Sequence, residues 1–142
     1  MVTTLTLDLN PEPMSAPRAR HAIREFLTTA WLGADIADFE TRLDDALLVT
    51  TELVSNAIRH GSGHVVLEAA ADVVEGNPTV CLECRDDGQW ASPLGVMSLF
   101  AATEASAELD DGGRGLHIVQ ALCSEVEISH DVPGSIVRAK LP

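Results

Sequence analysis

A chain of 142 residues with 46% apolar and 22% charged residues has the composition of a folded globular domain, long enough to bury roughly two-thirds of its unfolded surface without staples. Nine Lys+Arg against 22 Asp+Glu leave a formal net charge of −13, which repels a phosphate backbone and argues against direct nucleic-acid binding. No apolar run reaches membrane-spanning length and the start MVTTLTLDLNPEP lacks the basic and continuous apolar regions of a secretory leader, so a single cytoplasmic domain over residues 1–142 is expected, with no membrane partner.

TLTLDL (Thr4 to Leu9) alternates with period two and reads as a strand, followed by the turn-rich NPEPMS. From Ser15, a candidate N-cap, a helix is signalled by Pro17 in its first turn and by Ile23, Phe26, Leu27 and Ala30 at helical spacing, ending near Leu32 before Gly33. A second helix is predicted from about Phe39 to His60, with Leu43, Leu47, Thr50, Val54, Ala57 and Ile58 on one stripe and Gly61 as C-cap. Beside that stripe run Asp45, Val49, Glu52, Asn56 and His60, a partly polar second face.

HVVLEAAADVV and TVCLECRDD read as a hairpin turned at EGNP. Within it Val80, Leu82 and Cys84 face one way while Cys81, Glu83 and Arg85 face the other. Two cysteines on opposite faces cannot clamp one metal, and no second ligand pair exists, so Cys81, Cys84 and Cys123 are read as reduced packing residues rather than a zinc site. A Gly-, Ser- and acid-rich segment between Asp86 and Gly115, with a short helix around VMSLFAATE, reads as a lid. RGLHIVQALCS resumes a helix with Leu116, Val119, Leu122 and Cys123 inward, and EVEISHDVPGSIVRAKLP closes the chain as a hairpin turned at VPGS. Strand, two helices, two strands, lid, helix and two strands predict an α+β, two-layer domain: a mixed, mainly antiparallel sheet covered on one face by helices.

Three constellations can carry chemistry, and each has a plain reading beside the functional one. Glu52 and Asn56, four residues apart, share a helix face: a wet edge, or a carboxylate base beside a neutral oxygen for a hard cation such as Mg²⁺. DDGQW places Asp86, Asp87 and Gly88 where a strand runs out: an ordinary Asp-Gly turn, or a carboxylate that accepts a hydrogen bond from an exocyclic amine. In DDGGRGL, Gly112, Gly113 and Gly115 flank Arg114 ahead of a helix: a turn, or backbone amides that approach a phosphate.

Taken together, ELVSNAIRHG resembles the N box, DDGQW the first glycine box and GGRGLHIV the second glycine box of the GHKL superfamily of ATP-binding domains, which includes gyrase, heat-shock chaperones and histidine kinases. The short chain, the opening PEPMSAPRARHAIREFL and the ending GSIVRAKLP look more closely like the small stand-alone anti-sigma-factor serine/threonine kinases. The resemblance runs from about Leu5 to Pro142. It implies ATP and Mg²⁺ as cofactors, Glu52 as catalytic base and Asn56 as Mg²⁺ ligand. It further implies that Asp86, with Gly88 beside it, binds adenine, and that Gly113, Arg114, Gly115 and Leu116 bind phosphate.

The implied activity is transfer of the ATP γ-phosphoryl to Ser/Thr of an anti-sigma-factor antagonist, with a sigma factor sequestered by a homodimer. Where the family has a further glycine in the first box this chain has Trp90, the feature that favours the alternative: a nucleotide-binding or partner-sequestering module without phosphoryl transfer. His21 lies on a helix but lacks the proline that follows a phospho-accepting histidine in sensor kinases, so that role is not assigned to it.

Overall fold

The computed structural model describes residues 1–60, 63–88, 111–129 and 134–142, with the side chains of 60 and 111–116 left out. The elements run β1 (Thr3–Leu9), α1 (Ser15–Ala30), α2 (Phe39–His60), β2 (Val65–Val74), β3 (Asn77–Asp86), α3 (Asp111–Leu122), β4 (Glu125–Ser129) and β5 (Ser135–Leu141). The five strands form one sheet in the order β1-β2-β3-β5-β4. Every pairing is antiparallel, which takes the largely antiparallel expectation to its limit.

Period-two alternation divides the sheet into two faces. Val65, Leu67, Ala69 and Ala71 on β2, Val80, Leu82 and Cys84 on β3, and Val137, Ala139 and Leu141 on β5 are buried. They join Ala19, Ile23 and Leu27 of α1, Leu43, Leu47, Leu53 and Val54 of α2, and Val119 of α3 in one core. On the opposite face, charges alternate across the strands. Arg85 pairs with Glu68 at 2.7 Å, and Arg138 with Glu83 at 3.0 Å and with Glu127 at 3.4 Å.

Three local readings change. Ser15 is the first helical residue rather than the N-cap: Met14 precedes the helix without a side-chain cap, and the Ser15 hydroxyl donates backward to the Asn10 carbonyl at 2.6 Å, tying α1 to the turn after β1. The hairpin turn shrinks from EGNP to Glu75 and Gly76, because Asn77 and Pro78 already pair with Val74 and Val73. Proline is tolerated there because β5 stops with Leu141 opposite Val80, so Pro78 lies past its end with one neighbouring strand. Finally, α3 starts at Asp111, so Gly112, Gly113 and Gly115 fall in its first turns rather than ahead of it.

The expected lid helix around VMSLFAATE and Trp90 lie outside the described residues, as does Gly61. No helix among the described residues is long and apolar enough to cross a membrane.

Candidate functional site

Connectivity brings the three constellations to one end of the sheet. Helix α2 leaves through residues 61–64 into Val65, which pairs with Asp86 at the end of β3, so the C-terminal half of α2 stands over the Asp86 end. Helix α3 leads into Glu125, which pairs with Lys140 and so belongs to the opposite end, level with Cys81. Twelve residues of helix span about 18 Å, long enough to reach back from that end toward the Asp86 end, and α3 packs against α2.

Helix α2 is buried on two adjacent stripes, since Ala46, Val49 and Leu53 are as closed to solvent as Leu43, Leu47 and Val54. Two polar side chains are caught in this burial, and they are treated differently. The Thr50 hydroxyl donates to the Ala46 carbonyl one turn back at 2.8 Å, satisfying itself within the helix. Asn56, 0% exposed, has no hydrogen-bond partner among the described residues for either its Oδ1 or its Nδ2. An unpaired buried amide costs about 1–3 kcal/mol, so the position carries a penalty that packing does not explain. Glu52, one turn earlier on the same face, is half-buried.

Asp86 is 5% exposed, and its Oδ1 accepts the Gly88 N–H at 2.8 Å, closing a side-chain turn two residues long. The opposite end of that glycine is held too, because the Ser135 hydroxyl donates to the Gly88 carbonyl at 3.1 Å. Ser135 is the register partner of Asp86 across β3 and β5 and is 1% exposed. Before it, Gly134 has a φ of +103° and lies so close to the Asp86 carbonyl that a Cβ has no room. Ser135 and Gly134 are contacts of the Asp86 turn that sequence reasoning missed; their sequence signal was the pair Gly134–Ser135 at the start of the last strand, which reads as part of a turn.

The phosphate-side residues Gly113, Arg114, Gly115 and Leu116 lie on the backbone of α3, their side chains outside the description. The first N–H groups of a helix have no acceptor inside it, so the amides of Asp111, Gly112 and Gly113 stand at the positive end of the helix dipole, while Arg114, Gly115 and Leu116 lie one turn further in. Burial pushes the Cys84 thiol up to about 12, with the nearby Asp86 charge adding to the shift. That thiol is a packing group with no part in the chemistry.

Among the described residues no group of three His, Cys, Asp or Glu side chains is placed to hold a metal. The observation that bears on a metal is the buried, unsatisfied Asn56 Oδ1: one neutral oxygen suits a hard cation whose other positions are filled by phosphate oxygens and water. A groove of about 410 Å³ between α1 and α2, lined by Arg20, His21, Arg24 and Leu48 among others, takes in none of these groups.

The sequence profile of the histidine kinase-like ATPase domain family matches residues 9–141. The chain belongs to this family. The histidine kinase-like ATPase assignment fits the antiparallel sheet and the helices on one face. Among solved structures, the histidine kinase domain of the Erythrobacter litoralis EL346 blue-light activated histidine kinase aligns with 22% identity over 91% of this chain and 59% of that one, at a TM-score of 0.48. This chain thus spans less than two-thirds of that protein's length. Among curated proteins none matches the chain.

Proposed function

We propose that this histidine kinase-like ATPase domain is an ATP- and Mg²⁺-dependent serine/threonine protein kinase of the anti-sigma-factor type, acting on a partner antagonist protein and, as a homodimer, sequestering a sigma factor. One observation carries the reading: the fully buried, unpartnered Asn56 amide on the same helix face as Glu52, at the end of the sheet that holds Asp86. A structural asparagine at that depth finds partners; an asparagine kept for a cation is left without them until the cation arrives.

Bound ATP and Mg²⁺ supply a transferable γ-phosphoryl group with its charge partly neutralised. The chain's part is positioning. Asn56 Oδ1 would serve as the protein ligand to the metal, Asp86 would accept a hydrogen bond from the adenine 6-amino group, and Gly88 would leave room for the base. The N-terminal amides of α3, around Gly113 and Gly115, donate to phosphate oxygens. Glu52 accepts the proton of the attacking serine or threonine hydroxyl as that oxygen bonds to phosphorus and the bond from phosphorus to the ADP oxygen breaks.

The test is transfer of label from ATP to candidate antagonist proteins that carry a phosphorylatable serine, in the presence of Mg²⁺. Glu52→Ala is expected to abolish transfer while leaving nucleotide affinity within about threefold, as for loss of a group used only in the transition state. Tight ATP binding with no transfer to any candidate would instead support the non-catalytic module that Trp90 suggests. If Asn56→Ala leaves Mg²⁺-dependent nucleotide binding unchanged, the site assignment is wrong.

A further inference from the structure

Next to the adenine-binding candidate, Asp87 is exposed and belongs to no core, yet its carboxylate is fixed. Its Oδ2 accepts the backbone N–H of His64 at 2.9 Å. It also rests against Gly63, whose φ is +69° and whose missing Cβ would come within 2.6 Å of Oδ2 and 2.9 Å of the Asp87 Cβ. Gly63 and His64 are the last residues before β2, whose first residue, Val65, pairs with Asp86. The side chain therefore joins the lead-in to β2 to the turn on which Asp86 sits, while Gly134 closes on the Asp86 carbonyl from the β5 side.

We propose that Asp87 is a positioning residue: a strut, seated on Gly63 and bonded to His64, that sets how the turn bearing Asp86 stands against the start of β2 and so governs discrimination for the adenine 6-amino group. The inference rests on the reading of Asp86 as the acceptor of that amine. A planar peptide links Asp86 and Asp87, so a shift of the second backbone unit is passed to the first. The hydrogen bond is charge-assisted, which makes it roughly twice as strong as a neutral one. A plain strand-end turn needs neither a carboxylate at Asp87 nor a glycine beneath it. The alternative, that Asp87 only stabilises the fold, predicts equal losses for all nucleotides.

The experiment compares binding of ATP with that of ITP, which carries a 6-oxo group in place of the amine, for the wild type and for Asp86→Ala, Asp87→Ala, Asp87→Asn and Gly63→Ala, with melting temperatures recorded alongside. The wild type should prefer ATP by about 10- to 100-fold, the range for a hydrogen bond to a charged group, and Asp86→Ala should bring the ratio close to one. Asp87→Ala and Gly63→Ala should each lower the ratio at least about fivefold while ITP affinity changes little; Asp87→Asn, which keeps an acceptor oxygen, should retain most of the preference. If Asp86→Ala removes the preference but Asp87→Ala leaves it intact, or weakens ATP and ITP alike, the strut is refuted and the reading of Asp86 stands. If the wild type shows no preference, or Asp86→Ala does not alter it, the reading of Asp86 fails and the strut fails with it.

Discussion

Asp86 and Ser135 face each other across the β3–β5 ladder, both nearly closed to solvent, and the serine hydroxyl reaches the Gly88 carbonyl two residues beyond the aspartate. Gly88 is thereby held at its N–H by Asp86 and at its C=O by Ser135. Ser135→Ala removes one of these two anchors without altering the donors and acceptors offered to a nucleotide by Asp86. The expected result is a loss of about 0.5–1.5 kcal/mol in stability, the worth of one neutral hydrogen bond. ATP affinity should weaken by no more than about tenfold, the same energy expressed as a ratio. Calorimetric titration of the alanine variant checks both the size and the direction.

Asn56 gives the sharper contrast, because its two effects have opposite sign. Both polar atoms of the buried amide lack partners among the described residues, so Asn56→Leu, which keeps the branched four-atom shape while replacing both polar atoms by methyl groups, removes a desolvation penalty. The nucleotide-free protein is expected to gain about 1–3 kcal/mol in unfolding free energy, in keeping with the trade between stability and activity at functional positions. Mg²⁺-dependent ATP binding is lost in the same variant. Chemical denaturation without nucleotide decides it: a leucine variant less stable than wild type means the amide is satisfied in the folded protein and has no ligand to wait for.

How far the sequence revealed this arrangement depended on how local each signal is. Helix α2 was bounded correctly at Phe39 and His60 because its apolar stripe repeats over six turns, and the β2–β3 faces followed from strict alternation through Val80, Leu82 and Cys84. Glu52, Asn56 and Asp86 were found as members of short motifs. Ser135 and the contacts of Asp87 were not, because they depend on the register of β5 against β3 and on where the lead-in to β2 meets the end of β3, neither of which any stretch of a few residues encodes. Ser15 misled for a related reason: a serine before a helical run suits a cap, but its hydroxyl is committed to Asn10 on the turn behind it.

Cys84 makes stability fall on the alkaline side. Its folded thiol is pushed up to about 12 from an ordinary value of 9.0, chiefly by burial. Below pH 9 both states hold the proton and the group is neutral in its effect. As pH rises from 9 toward 12 the unfolded chain releases the proton while the folded one keeps it, so unfolding is favoured by about 1.4 kcal/mol per pH unit, roughly 4 kcal/mol across the whole window. Cys123, raised to about 11 first by burial and then by the Asp45 charge, adds a smaller effect of the same sign. Denaturation midpoints from pH 8 to 11 should decline less steeply for Cys84→Val than for wild type; parallel curves would show that Cys84 ionises as easily in the folded state as in the unfolded one.

Leu53 stands between Glu52 and Val54 on α2 and is 1% exposed, an apolar side chain that packs the helix carrying the site and offers no polar group to a ligand. Leu53→Ala deletes buried carbons and leaves a cavity, at an expected cost of about 2–5 kcal/mol. ATP binds the folded state alone, so nucleotide should recover part of this loss by mass action: about 2.7 kcal/mol at a free ligand concentration of a hundred times Kd. The prediction is that Mg²⁺-ATP raises the melting temperature of Leu53→Ala and of wild type by similar amounts, while Asn56→Leu shows no such rise. A rise in Asn56→Leu equal to that of wild type would mean that nucleotide is held without the Asn56 oxygen, and a missing rise in Leu53→Ala would mean that the packing of α2 and the site are one cooperative unit rather than separable parts.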